Sequence, residues 1–523
     1  MPITPYSGTW GQTQRLHLLR RTLFGANKAD IAAFSSSSMT DMVTAILTIP
    51  AAAPTPPLVD YTPVNPSATD PTTDVANATW VNNRIEGVNS GSRQNSLRGW
   101  WLGLILQQER NIREKMTFFW HNHVPTDISG AVNEPLYCYK YNALLRQHCL
   151  GNFRTLMRDM TLQPAMLIYL SGQSNQRNAP NENYGRELQE LFCIGKDLQP
   201  SFSEADVQAA AKVLTGWRVN NTTLSAYFTL DRHTITDKVF SNFYGNTVIT
   251  GQNNATGGVT ELDALLDMLF AHPEVARFVV RKIYRLFVYY KIDATVEANV
   301  IVPLADLFRA GNYEVKPVME ALLTSQHFYD MATANSAMIK SPIDHNISFA
   351  RTFGVILPSD TPNRYKNFRY FNDEADKQGQ KLGNPPNVAG WPAYYQTPNF
   401  HELWISSETL RKRKEFCDRL LTSGFNGMKV DVLAFTMTLS NPSYPVSLID
   451  EALFLLHPLA SDAALKTTLK AILLSNQTGD YYWTTAWDNY IGAPTNTSFA
   501  NIVRTRLQTL YQAITNMAEF HLS

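Results

Sequence analysis

Two histidines at the end of a predicted helix are the first side chains that could do chemistry. Asn111 with Glu114 three residues later resembles a capping box and predicts a helix start. Pro125 predicts that the helix ends near His123, two residues beyond His121. An imidazole at such a helix end can bind a metal or transfer a proton.

Helical periodicity separates these two histidines. His123 shares an inward face with Ile112, Met116 and Phe119. His121 lies on a more polar face, with Glu114 and Thr117. An inward histidine can also bond a backbone carbonyl and fill space, and this alternative stays open.

A carboxylate within an apolar arc is the second candidate. At 100° per residue, Glu187 falls inside the arc of the helix predicted before Gly195, and Glu190 falls at its edge. The apolar members of the arc are Tyr184, Leu188, Leu191, Phe192 and Ile194. A buried carboxylate needs a cation, a metal or a hydrogen-bond donor, so Glu187 is a candidate catalytic acid, base or metal ligand. A buried ion pair explains it equally well.

Two further segments mix candidate residues with loop signals. His233 lies among carboxylates and a lysine in segment 228–238, a predicted loop, and loops carry much functional chemistry. Trp391 and Tyr394 lie in the Gly- and Pro-rich segment 383–395, where rigid aromatic side chains suit stacking on a ligand. The alternatives are a solvated loop for the first segment and packing on the core for the second.

Composition bounds the function. The chain has 523 residues, 44% of them hydrophobic, and its 45 Lys and Arg balance 45 Asp and Glu, which argues against a broad nucleic-acid surface. The four cysteines form no CxxC pair, and no apolar run is long enough for a membrane span. No GxSxG, HExxH, P-loop or GxGxxG motif is present, which disfavours several common enzyme classes. The first residues do not read as a signal peptide, so we expect a cytoplasmic protein or one exported with a partner.

The elements that must position these residues are helices. The periodicity predicts a mainly α fold, a large multi-helix core with a small β-hairpin insertion whose turn lies at Gly245 and Asn246. Helices are predicted over 13–21 and 26–49. Residues 1–49 are predicted to form N-terminal helices that pack on the core, and residues 50–92 a Pro-rich arm or loop. Residues 93–350 are predicted to form the helical core with the site, and residues 351–523 an irregular region followed by C-terminal helices.

Several runs together resemble the bacterial domain-of-unknown-function family 1800. They are LHLLRRTLFG, IREKMTFFWHNH, NENYGRELQELFCIG, SEADVQAAAKVLTGW, RHTITDK, KSPIDH and NPPNVAGWP. The resemblance implies no established activity. It implies an exported or envelope-associated bacterial protein whose gene neighbour resembles sulfatases and alkaline phosphatases. In the family pattern an Asp follows the His directly, whereas Thr234 follows His233 here and Asp237 comes later.

Two hypotheses of different classes follow. The first is a metal-assisted hydrolase or oxidase with a buried His/Glu site and a divalent transition metal, Zn, Fe or Mn. Its metal ligands would be His123, Glu187, His121, His233 and Glu190, its catalytic residues Glu187, His123 and His233, and its substrate contacts Trp391 and Tyr394. The second is a non-catalytic scaffold or accessory subunit, which would bind the phosphatase- or sulfatase-like neighbour through the Pro-rich arm.

Overall fold

Helices form most of the regular secondary structure among the described residues. The computed structural model describes residues 3–64, 74–83, 87–196, 198–333 and 337–523. Up to residue 213 the α-helices are α1 (Gln12–Thr22), α2 (Lys28–Ala33), α3 (Met39–Ile46), α4 (Ser90–Leu106), α5 (Arg113–His123), α6 (Pro135–Gln147), α7 (Phe153–Thr161), α8 (Pro164–Tyr169), α9 (Asn183–Glu187) and α10 (Glu204–Val213). The prediction of a mainly α fold with a small β insertion is confirmed.

The second half continues in the same way. Its α-helices up to residue 377 are α11 (Gly257–Ala271), α12 (Pro273–Phe287), α13 (Ala294–Val296), α14 (Val302–Ala310), α15 (Val315–Leu323), α16 (Gln326–Thr333), α17 (Pro342–Phe353) and α18 (Thr361–Lys377). The remaining ones are α19 (Ser407–Leu421), α20 (Val432–Met437), α21 (Pro445–Leu456), α22 (Ala463–Leu473), α23 (Tyr481–Gly492) and α24 (Thr497–Thr515). Two π-helical turns, Leu188–Cys193 and Glu297–Ile301, extend α9 and α13. Short 3₁₀ turns cover Gly172–Ser174, Leu230–Arg232, Asn242–Tyr244, Pro392–Tyr394, Phe400–Trp404 and Ala518–His521.

The β insertion contains two antiparallel hairpins. The predicted one pairs β3 (Lys238–Val239) with β4 (Val248–Ile249). Its turn passes through Gly245 and Asn246, both at positive φ as expected. The other pairs β1 (Trp217–Asn220) with β2 (Ser225–Phe228) and begins before the region where the sequence pattern changes.

The long helix predicted over 26–49 is wrong, because α2 and α3 are separate helices. The serine run 35–38 breaks it, and the Ser38 side chain accepts a hydrogen bond from the Asp41 N–H to cap α3. Serine side chains compete with the helical hydrogen-bond pattern and favour caps. The helix predicted over 13–21 corresponds to α1.

The described part of the predicted arm over 50–92 packs against the core; residues 65–73 and 84–86 lie outside the described residues. Val59 and Trp80 are almost fully buried. They join a hydrophobic cluster that extends along the chain from Leu16 to Phe520. Beneath this segment, α4 crosses α18 at close range, since a Cβ on Gly103 would lie 2.6 Å from the Phe368 ring. In the described part of the chain, no helix combines the length and apolarity that crossing a bilayer requires.

A buried ion pair replaces the predicted capping box. Glu114 turns away from Asn111 and binds Arg146 on α6 through both carboxylate oxygens, at 2.9 Å each. Asn111 accepts only the Arg113 N–H, at 3.1 Å. The pair fixes α5, and with it His121 and His123, against α6.

We expect Glu114→Gln to lower the free energy of unfolding by about 3–5 kcal/mol, because it leaves the buried Arg146 charge without its counter-charge. Urea unfolding followed by circular dichroism measures the change. The matched control is Glu415→Gln, which breaks an exposed pair with Arg411 and should change stability by less than about 1 kcal/mol. Equal small losses in both variants would show that the Glu114 pair does not hold α5.

Candidate functional site

His123 is a helix-capping residue in the structure. Its side chain is 1% exposed, and Nε2–H donates to the Phe192 carbonyl at 2.9 Å. Lys282 donates to the neighbouring Leu191 carbonyl at 3.1 Å. Both carbonyls belong to the end of the π-helical turn Leu188–Cys193, where helix carbonyls lack intrahelical partners. The alternative of a backbone-bonded, space-filling His123 therefore describes its observed contacts.

Glu187 is not buried in the apolar arc, which corrects the sequence-based expectation. The side chain is partly exposed, and no hydrogen bond or ion pair to it occurs among the described residues. Partial burial and the charge of Glu190 raise the pKa of the Glu187 carboxyl. Glu190 itself lies 3.4 Å from Arg186, which also binds Glu182 at 3.1 Å.

Gln189 takes the buried polar position instead. It is fully buried, donates to the Gly185 carbonyl at 2.9 Å and accepts the Tyr244 hydroxyl at 2.7 Å. The helical wheel that includes Leu191 and Ile194 places the centre of the apolar arc too close to Glu187. Because the turn from residue 188 is π-helical, a constant 100° step does not describe it.

His121 and His233 are each enclosed in a separate hydrogen-bonded cluster. His121 contacts the Tyr141 hydroxyl through Nδ1 at 2.9 Å, and burial lowers its pKa to about 3. His233 has the Thr215 carbonyl at 2.9 Å from Nδ1 and the Glu261 carboxylate at 3.0 Å from Nε2. Lys238 binds the same carboxylate, so His233 and Lys238 anchor segment 228–238 in the interior. Residues 231–232 and 235–237 of the segment are exposed, as expected for a solvated loop.

The predicted metal set does not converge. Over the described ranges, no group of three or more His, Cys, Asp or Glu side chains is arranged to hold a metal ion. Both ring nitrogens of His233 face acceptors, and Nε2 of His123 faces a carbonyl, so these atoms are already engaged. The structure thus gives no support to a metal bound by His123, Glu187, His121, His233 and Glu190.

The two predicted aromatic contacts differ. Trp391 is 1% exposed and stacks on Phe118 at 5.7 Å between ring centroids, so it packs in the core. Tyr394 is half-buried and lines two adjoining clefts.

One of these two clefts, here called the cationic cleft, is lined by five Lys and Arg side chains. They are Arg20, Arg21, Lys115, Arg285 and Lys340. Asp344 is the one carboxylate side chain among its described lining residues, and it binds Lys115. Its volume is about 50 Å³.

Backbone carbonyls, rather than acids, hold several of these cations. Arg20 donates to the carbonyls of Phe454, Leu455 and His457 at 2.9–3.1 Å, at the C-terminal end of α21. Lys340 donates to the Phe520 carbonyl at 2.7 Å. Carbonyls at helix ends attract cations without cancelling their formal charge, so the cleft stays positive.

Crowding of positive charge in a dry setting is visible in the pKa values. Burial lowers the pKa of Lys340 to about 7, with the charges of Arg20 and Arg413 acting in the same direction and Asp344 opposing them. Burial likewise lowers the pKa of Arg20 to about 9, with the charge of Arg21 acting in the same direction. An anion in the cleft would relieve this repulsion.

The cleft brings together runs that are distant in the sequence. Arg21 comes from LHLLRRTLFG, Lys115 from IREKMTFFWHNH, and Lys340 and Asp344 from KSPIDH. Tyr394 lies two residues after the end of NPPNVAGWP. A family model described as "Protein of unknown function (DUF1800)" matches residues 17–522. The chain belongs to the DUF1800 family. Neither a curated protein nor a solved structure gives a significant match.

The DUF1800 chain carries a signal for this cleft that the search for metal ligands passed over. Arg21 lies in α1 three residues after the buried Leu18, so a charged residue shares an apolar helix face. Such a residue needs a partner, as Glu187 was argued to need. Arg21, Lys115 and Lys340 all stand in the runs that carry the family resemblance.

Substitutions at Gln189 and Glu187 test which of the two side chains is buried. Gln189→Leu should lower the free energy of unfolding by about 1–3 kcal/mol, because it leaves the buried Tyr244 hydroxyl without its acceptor. Glu187→Gln should stay within about 0.5 kcal/mol of the parent. The measurement is the midpoint of urea unfolding, and a larger loss for Glu187→Gln would contradict the placement described.

Proposed function

We propose that this DUF1800 protein binds a small oxyanion group, a carboxylate, phosphate or sulfate carried by its ligand, in the cationic cleft. The observation that carries the proposal is the imbalance of its side-chain lining: five Lys and Arg side chains against one carboxylate side chain, that of Asp344, which already binds Lys115. A recessed cleft of one sign concentrates ligands of the opposite sign.

Donor capacity supports the proposal. The Lys340 ammonium has three N–H groups and one protein acceptor, the Phe520 carbonyl. Arg285 stacks over the Phe400 ring at 5.2 Å, and its buried Nε has no hydrogen-bond partner among the described residues. Both side chains can turn a donor toward an anion without giving up an ion pair.

Size also favours a small group. A buried water needs a cavity volume of about 10–15 Å³. The volume of the cationic cleft, about 50 Å³, therefore accommodates a few oxygen-sized atoms. A carboxylate or a tetrahedral oxyanion fits this description, whereas a whole nucleotide does not.

A second candidate is the accessory subunit that binds a sulfatase- or phosphatase-like neighbour. It is favoured by exposed apolar side chains on α23 and α24, where Tyr481 is 62% exposed and Ile502 is 47% exposed. Co-expression of the neighbour with the Tyr481→Asp variant and the parent, followed by size-exclusion chromatography, tests it. Export together with that partner remains a prediction of the same hypothesis.

Inorganic sulfate is the probe for the cleft, because its charge is constant between pH 6 and 8.5. We expect calorimetric titration at fixed ionic strength to give a Kd that rises by about tenfold over this range. The reason is that the pKa of Lys340 is lowered to about 7, so this cation loses its proton as the pH increases.

Lys340→Gln should weaken sulfate binding at pH 6 by about tenfold and flatten its pH dependence, since a charge-assisted hydrogen bond contributes about 1.5–3 kcal/mol. The control is Lys414→Gln, an exposed lysine paired with Asp418. Sulfate binding that is equal in all three proteins, or absent from the parent at millimolar concentration, would overturn the proposal.

A further inference from the structure

A second, narrower cleft adjoins the cationic cleft. This lysine cleft is lined by Lys282, His123, Asn122 and Tyr395, and it shares Arg285 and Tyr394 with its neighbour. Its volume is about 20 Å³, which is room for one or two heavy atoms. A ligand that spans both clefts would therefore be small.

Lys282 holds its amine at the wall of this cleft. It lies three residues before Arg285 on α12, so the two side chains share one helix face. Its Nζ donates to the Leu191 carbonyl at 3.1 Å and lies 4.6 Å from the centre of the Phe278 ring. Among the described residues no carboxylate pairs with it.

His123 provides an unpaired hydrogen-bond acceptor on the wall of the same cleft. Nε2–H is committed to the Phe192 carbonyl, so Nδ1 carries the lone pair. Nδ1 is buried and has no hydrogen-bond partner in the part of the chain that the structure describes. A buried acceptor without a partner, on a residue that lines the cleft, points to a donor supplied by a ligand.

We propose that the ε-amine of Lys282 is a nucleophile that forms an imine with a small oxo acid, whose carboxylate lies at Arg285 in the cationic cleft. The proposal rests on the oxyanion function proposed above and names the substrate class: an aldehyde or ketone bearing an acid on the adjacent carbon. The narrow cleft takes the carbonyl group and the cationic cleft takes the acid.

The chemistry needs no metal and no redox partner. The neutral amine forms an N–C bond to the carbonyl carbon, and a proton passes from nitrogen to oxygen to give the carbinolamine. The carbinolamine hydroxyl then receives the second proton of the nitrogen and the carbon–oxygen bond breaks. The oxygen leaves as water, and the nitrogen lone pair completes the C=N bond of the imine. His123 Nδ1 can accept the hydrogen of the carbinolamine hydroxyl and orient it.

The surroundings of Lys282 favour the neutral amine. Burial and the charge of Arg285 lower the pKa of Lys282 to about 7, and Cys193 opposes them. His123 also faces the amine, and burial holds its pKa well below the ordinary value, so the imidazole adds no positive charge near neutral pH. At pH 7 about half of such amines are unprotonated, against roughly one in a few thousand for an ordinary lysine. Buried lysines of this kind serve as Schiff-base residues.

Reductive trapping of the full-length protein tests the proposal. Glyoxylate with cyanoborohydride at pH 7 should place a carboxymethyl group on Lys282, as read by peptide mass spectrometry. Its initial rate should exceed the rates at the exposed Lys377 and Lys414 by about tenfold or more, given the difference in neutral fraction. Lys282→Arg, which keeps a donor for the Leu191 carbonyl, should lose this modification and keep its melting temperature.

Two further experiments distinguish the contribution of the Lys282 amine from that of the oxyanion site. Propanal, which carries no acid, should label Lys282 more slowly than glyoxylate, and Arg285→Gln should remove most of that preference. Sulfate should slow labelling by glyoxylate and leave labelling by propanal unchanged.

Labelling of Lys282 no faster than that of Lys377, in a protein that binds sulfate, would overturn the imine proposal and leave the oxyanion function standing. Fast labelling that is equal for the two carbonyls, in a protein that binds no sulfate, would overturn the oxyanion function and the acid-bearing substrate class together.

Discussion

The structure depends on buried cations that are held by backbone carbonyls at helix ends. Arg20 caps α21, and Lys282 caps the π-helical turn. Each contact satisfies donors and carbonyls at once and joins two elements far apart in the chain. Because a carbonyl carries only a partial charge, these contacts leave net positive charge in the interior. The cationic cleft is where that charge meets open space.

This arrangement also explains why a chain of zero net charge can contain a strongly polarised site. The acids are largely placed elsewhere: Glu114 with Arg146, Glu261 with Lys238, and the surface carboxylates with their neighbours along helices. Composition gives the net charge of the chain and not the distribution of its charges in space. A chain without an excess of basic residues can therefore still form a recessed site from five basic side chains.

Local elements could be predicted from the sequence, and the site could not. Hydrophobic periodicity identified α1, the hairpin at Gly245 and the helical class of the fold, because these depend on neighbours within a few residues. The burial of Gln189 in place of Glu187 depends on a π-helical turn, whose extra residue no regular wheel contains. The partner of His123 lies 69 residues away, and Lys115 meets Asp344 across 229 residues. A single sequence contains no signal for such pairings, although the shared runs supplied the residues that meet.

The contact between Arg20 and the end of α21 has a consequence for synthesis. The Arg20 guanidinium and the His457 carbonyl are 437 residues apart. At about 5–20 residues per second, the ribosome takes on the order of tens of seconds to deliver the partner. During that interval the buried face of α1, with its leucines and two arginines, cannot complete its native packing. A nascent chain with so late a closing step is exposed to aggregation, so its yield should depend on chaperone supply more than its final stability would suggest.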